Sequence, residues 1–312
     1  LWTVIAVSML SVAVGVALAV LLGAAVGPST PAGDLQAQRD AARAELSAAQ
    51  AELARGEQYF EESASILLAG ALEGQTVVTL AVATPDEAAV AGLHERIVQA
   101  SGAATPSVAL GSAWTDPGQV TFRDSLADSL RASVVGVPDE AQTSQVLAHA
   151  LAQAIFPGVF PEGTDPAEVE LAVGLPSDSN AVDRSQVLWQ ILLDSDLVDG
   201  ESGIRGTSLV IASGAWSSDE ATAADESAEL LTLAEILSQY AAGTVVAGVA
   251  DAPDELASVL ADSPIAARVS TVTNAFTKIG SVGVAAALAE HIGGGVGHYG
   301  PGGEGRLLPE SW

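Results

Sequence analysis

Cysteine is absent from the 312-residue chain, and methionine occurs once, as Met9. Without thiols there are no disulfides, no thiolate zinc sites and no cysteine nucleophile. The soft donors that select copper(I) are missing as well, apart from that one thioether. Positive charge is scarce: 11 Lys and Arg face 39 Asp and Glu, a net charge of −28. A surface of that sign repels phosphate backbones and anionic headgroups, so nucleic acid is excluded as a partner and membrane contact must come from apolar sequence. Catalytic motifs are lacking too. There is no Gly-x-Ser-x-Gly elbow, no His-Glu-x-x-His and no P-loop. The sequence therefore predicts neither an enzyme nor a bound cofactor.

Two stretches imitate ligand loops. Gly293-Gly294-Gly295-Val296-Gly297-His298-Tyr299-Gly300 follows an apolar helical run and precedes Pro301, whereas a dinucleotide fingerprint follows a strand and opens a helix. It reads as a helix stop with a flexible loop. Asp194-Ser195-Asp196 starts like a calcium loop, but Val198 stands at position five and Arg205 where a bidentate Glu is required, so a solvated helix end is the better account. Of the four histidines, His94, His149, His291 and His298, none is spaced i, i+4 with another. His291 and His298 are at most a two-ligand metal set, and no metal is expected.

What the chain does have is a run of 27 residues, Leu1 to Gly27, with no charge and no proline. At about 1.5 Å per residue it reaches roughly 40 Å, enough to cross a bilayer and too long for the core of a cleaved signal peptide. We read residues 1–27 as an uncleaved transmembrane anchor. Ser11, Gly15, Ala19, Gly23 and Gly27 recur every fourth residue and would form a narrow helix-packing face, for a partner membrane helix or a second copy. Arg39, Arg43 and Arg55 follow the run, yet a single N-terminal anchor before a long body usually means that the body is exported.

Residues 28–33, with two prolines, form a linker. A helix over 34–72 follows, in which Leu46, Leu53, Phe60 and Leu67 fall seven apart, with Leu35, Ala42, Ala49, Gly56 and Ser63 at the second seam position. This suits a close-packed coiled coil or a helical hairpin; the alternative is a single amphipathic helix lying on the body.

From residue 73 to 300 the pattern is α/β. Thr76-Val77-Val78-Thr79-Leu80-Ala81-Val82 predicts a strand, Pro85-Asp86-Glu87 opens a helix carrying Leu93, Ile97 and Val98, and 107–110 is the next strand. Helices are predicted over 120–133, 139–156, 166–174, 181–198, 221–242, from 254, and over 283–292, with strands at 207–213, 244–250 and 267–272. The fold class is a three-layer, Rossmann-like α/β domain with a mostly parallel sheet, ending in a loose tail over 301–312. Thr244-Val245-Val246 to Pro253-Asp254-Glu255 repeats the first strand and helix start, and Gly111-Ser112-Ala113-Trp114 echoes Ser213-Gly214-Ala215-Trp216. Convergence at βα junctions and two related halves explain this equally well.

The closing stretch carries a resemblance. Val269-Ser270-Thr271-Val272-Thr273-Asn274-Ala275, the Ala287–His291 helix end and Gly297-His298-Tyr299-Gly300 are similar to the end of the actinobacterial MctB envelope family, named for mycobacterial copper transport protein B, whose corynebacterial relatives are called SteB. The signature residues are Ser270, Thr271, Asn274, Gly297, His298, Tyr299 and Gly300; Thr273 stands where the family pattern carries Asp. The resemblance implies two roles. One is copper efflux through an outer-membrane pore. The other is a septal scaffold in the cytoplasmic membrane, its soluble part extracytoplasmic, that pairs with a membrane partner, SteA, and controls a peptidoglycan hydrolase in cell separation. With one apolar span and no thiolate ligands, the sequence favours the scaffold, with the 34–72 helix as the hydrolase contact.

Gly15→Ile with Ala19→Ile would separate packed membrane helices without weakening insertion. The double variant should stay in the membrane fraction and lose co-purification with its partner helix; retained co-purification would make the stripe ordinary membrane composition.

Overall fold

The computed structural model describes residues 32–161, 179–214, 220–249 and 255–300, together with 306, 308 and 309. The predicted anchor with its small-residue face, the 166–174 helix, Trp216 of the Trp echo and nearly all of the 301–312 tail lie outside the described residues. Within them, no helix is long and apolar enough to cross a membrane. The chain divides into two compact units, Leu1–Ile66 and Leu67–Trp312.

Among the described residues the first unit is one helix, α1 (Ala32–Leu68), which ends just inside the second. Residues 43–59 are exposed on every side. Local pairs support it: Arg55 reaches Glu52 at 2.6 Å, and Gln58 donates to Glu62 at 2.9 Å. Such exposed pairs add only tenths of a kcal/mol each, about 0.2–0.5, so a lone helix of this kind is marginal by itself.

The second unit is a mixed α/β body. Its strands are β1 (Thr76–Val82), β2 (Ala103–Ala104), β3 (Val108–Leu110), β4 (Val198–Asp199), β5 (Ser208–Ser213), β6 (Thr244–Gly248), β7 (Ser270–Val272) and β8 (His298–Tyr299). They form one sheet in the order β4-β3-β1-β5-β6-β7-β8, with β2 beside the start of β1. Every pairing is parallel except β3 with β4. Pro106, which has no amide to give, separates β2 from β3 along the same neighbour.

Both faces of the central strands are buried, as parallel strands require. The first face carries Val78, Leu80, Leu209, Ile211 and Val246, and packs against α3 (Val120–Leu130), α4 (Thr143–Ile155), α5 (Ser179–Asp194), α6 (Glu220–Ser238) and α7 (Leu256–Ala261). The second face is covered by α2 (Glu87–Gln99) and α8 (Lys278–Ile292), where His94 meets Thr79 at 3.1 Å and Arg96 donates to Ser281 at 3.3 Å. The steps β5 to β6 and β6 to β7 pass over the first face. The step β7 to β8 continues in the same direction but passes over the second, so this last crossover has the opposite hand, a rare arrangement.

Several boundaries differ from the sequence reading. Pro138-Asp139-Glu140 does not open a helix: Ala141 N bonds Pro138 O in a turn, Arg131 donates to the carbonyls of Pro138, Asp139 and Ala141, and α4 starts at Thr143. The predicted 181–198 helix ends at Asp194, because the chain turns at Asp196, at φ +54°, into the edge strand β4 on β3. The loop after Gly293 is not loose throughout, since it contains β8. Helix α8 begins at Lys278, five residues early, capped by the Thr277 hydroxyl, which accepts from Gly280 N at 3.0 Å. On α2, Leu93 and Ile97 are buried as expected while Val98 is 60% exposed.

Helix α4 is the centre of the first face: every residue from Val146 to Ile155 is buried. Its polar residues are partnered. His149 Nδ1 lies 2.7 Å from the Tyr240 hydroxyl, and Gln153 donates to that hydroxyl and to Val135 O while accepting from Val135 N. Burial lowers the His149 pKa to about 4 and raises that of Tyr240 to about 12. Because the folded pKa of His149 lies below its ordinary 6.5, the unfolded chain binds the extra proton first, and stability falls as pH drops from about 6.5 to about 4. The shift corresponds to about 3 kcal/mol. Urea unfolding at pH 7.5 and pH 4 should therefore differ less in His149→Gln than in the parent, by about 2 kcal/mol or more. Equal pH dependence in both would assign the acid sensitivity elsewhere.

Candidate functional site

The signature residues converge at the far edge of the sheet. β7 and β8 pair with Thr271 opposite His298 and Val272 opposite Tyr299. Around that short ladder the side chains lock to each other. Thr271 Oγ1 lies 2.9 Å from His298 Nδ1, Gly297 N donates to Ser270 Oγ at 3.3 Å, and Thr273 N donates to Tyr299 O at 2.9 Å. The Tyr299 hydroxyl donates to the Glu290 carboxylate on α8, tying strand to helix.

The glycines are needed for contact. A Cβ on Gly297 would overlap the Tyr299 hydroxyl, and one on Gly300, at φ +129°, would overlap Thr273 Oγ1. Asn274 adopts φ +54°, a left-handed conformation that Asn tolerates better than most residues, and its carbonyl lies where a Cβ on Gly280 would be. Thr273 is buried beneath Gly300.

His291 and His298 are not brought together. His291 Nδ1 lies 3.4 Å from both the Thr244 amide and Ser270 Oγ, whereas His298 is held by Thr271. Ser270 and Thr271 are successive strand residues and point to opposite faces, so the two imidazoles are on opposite sides of the sheet. Burial holds the His291 pKa below its ordinary value. Among the described residues, no three His, Cys, Asp or Glu side chains gather in a metal-holding group.

Two further points escaped the sequence reading. Glu255 is buried and turns back from the start of α7 to accept from Val249 N at 2.5 Å, against Gly248. Its neighbours Pro253 and Asp254 suggested a helix opener only. The sheet changes direction between β1 and β5, where α/β proteins of this class bind ligands. There the turn at Ala83 and Thr84 (φ +52° and +46°) lies against Gly214 so closely that a Cβ would overlap the Ala83 carbonyl. At that point the backbone after β1 touches the end of β5.

On α1 the seam lies open. Leu46, Leu53 and Leu67 are 55%, 53% and 47% exposed. Ala49 and Gly56 are exposed and Ala42, Phe60 and Ser63 half-buried; the Leu35 side chain is outside the described residues.

Comparison with known proteins gives one family. The family model described as "Copper transport outer membrane protein, MctB" matches residues 3–309. Proteins named "Copper transporter MctB" from Mycobacterium bovis and Mycobacterium tuberculosis are 26% identical over 319 residues, covering 95% of this chain and 95% of theirs.

The edge contacts act as a clasp, so Gly297→Ala should push Tyr299 from Glu290 and cost about 1–3 kcal/mol. Thermal unfolding would read the loss, and amide exchange at Thr271 and Thr273 should accelerate. Unchanged stability and exchange would contradict the clasp.

Proposed function

The chain belongs to the MctB family, and from that premise we propose that it is a membrane-associated protein of the cell envelope that serves copper transport, as the names of its mycobacterial relatives say of them. The match across nearly the whole chain carries this reading. In it, residues 1–27 anchor the chain in the cytoplasmic membrane and the α/β body lies outside. The body contributes by binding other components, not by catalysis and not by holding the ion. Support for that division of labour is chemical: the chain has no Cys, and its one Met is in the apolar run. In addition, the serine, threonine and histidine side chains of the signature are engaged with one another.

A second reading is favoured by one observation, the exposed seam of Leu46 and Leu53 on α1. A helix with an open apolar face is completed by another helix. This suits a scaffold like SteB, pairing with a SteA-like membrane protein and regulating a peptidoglycan hydrolase through α1.

One experiment separates the two. A strain lacking the protein is complemented with the parent chain or with Leu46→Asp/Leu53→Asp, and copper tolerance and cell separation are scored together. The first reading expects copper-sensitive growth with normal separation in the deletion strain. Chained cells with normal copper tolerance, not rescued by the α1 variant, would replace it with the scaffold reading.

A further inference from the structure

The open face of α1 has a chemistry that selects its occupant. With Leu46, Leu53 and Phe60 at position a of the heptad, Ala42, Ala49 and Gly56 fall at position d. Two copies side by side and parallel would stack leucine on leucine in one layer and alanine or glycine on its like in the next. Layers of such unequal width cannot all close at one interhelical distance, and the small layers would be left underpacked. Charge opposes the parallel arrangement as well. It sets Arg39 on Arg39 at position a and brings Glu52 of each copy beside Glu57 of the other.

Reversing one copy removes these conflicts. When residue numbers facing each other add to about 102, Leu46 meets Gly56, Leu53 meets Ala49 and Phe60 meets Ala42, so that every layer holds one large and one small side chain. In an antiparallel pair the flanking contacts run e to e and g to g. The same register then places Arg43 of each copy beside Glu57 of the other, and Tyr59 beside Glu45. Gln50 meets its own copy near the two-fold axis. Glu52 also approaches its own copy, but Arg55 reaches it at 2.6 Å in the same helix and offsets that charge. Arg43 is exposed and its ion pair with Asp40 is long, at 3.8 Å, so it can exchange partners readily.

We propose that α1 is a self-pairing element: two copies of this chain associate antiparallel through residues 39–63, with Arg43 and Glu57 fixing orientation and register. The pairing is independent of whether copper transport or cell separation is the cellular role. Its consequence is geometric. The helix starts of the two copies lie at opposite ends, about 55 Å apart at 1.5 Å per residue. Two membrane-anchored copies can then pair only by lying along the membrane or by facing each other across a gap.

Absence of cysteine makes the test direct, because each introduced thiol is the only one present. The full chain in detergent or nanodiscs is oxidised with Gln50→Cys alone, with Ala42→Cys alone, and as a mixture of Arg43→Cys and Glu57→Cys copies. The proposal expects disulfide dimers from Gln50→Cys and from the mixture, and none from Ala42→Cys, whose two thiols meet only in a parallel pair. Arg43→Glu should weaken dimer formation several-fold, and Arg43→Glu combined with Glu57→Arg should restore it. A dimer from Ala42→Cys would overturn the antiparallel register. Failure of both Gln50→Cys and the mixture to cross-link would show that the face takes a different helix and would overturn self-pairing.

Discussion

The parallel strands β1, β5 and β6 are apolar on both faces, and most of the body follows from covering them. Every residue of β5 and β6 is buried. Neither face can meet water, so helices must lie on both sides. The first face, with larger Leu, Ile and Val side chains, takes a thick layer centred on α4, whose own polar residues had to be paired with Tyr240 and Val135 to be admitted. Among the described residues the second face takes α2 and α8, and the buried stretch of α8, Ser281–Leu288, is Ser, Val, Gly and Ala apart from Leu288, so that it can approach closely. At the margins, where the sheet would be left open, short strands finish it: β4 beside β3, and β8 beside β7.

This history explains what could be read in advance. Thr76–Val82 and Thr244–Gly248 were legible because doubly buried strands are short unbroken apolar runs bounded by turn residues. The margins were not. His298–Tyr299 and Val198–Asp199 are strands of two residues with no periodicity, and they exist only because a partner strand is already in place. The same letters also meant different things. Pro85-Asp86-Glu87 opens a helix with Asp86 as its cap, while Pro138-Asp139-Glu140 is drawn into a turn by Arg131, eight residues before Asp139 and invisible to local reading. In the site, the resemblance named residues without saying how they bond. Thr271 and His298 are 27 positions apart, and nothing local says that they bond. The repeat of β1 and its helix start in β6 falls on the other side of β5, with α2 and α7 on opposite faces.

Functionally, the signature is an arrangement that fastens the last strand, and the open chemistry lies on α1. A protein with many acids, few cations and no thiols offers little to hold copper(I), but it offers an exposed seam and an acidic surface that other envelope components can meet. Family membership points to copper, and the side chains point to contact surfaces. The two agree if the body assists transport by assembly and leaves the ion to others.

That claim is tested most directly by titrating copper(I) into the purified full chain against a competing chelator, beside a His291→Ala/His298→Ala variant. The account predicts that both compete alike, with no stoichiometric site of submicromolar affinity. One equivalent bound at submicromolar affinity by the parent and lost in the variant would contradict it.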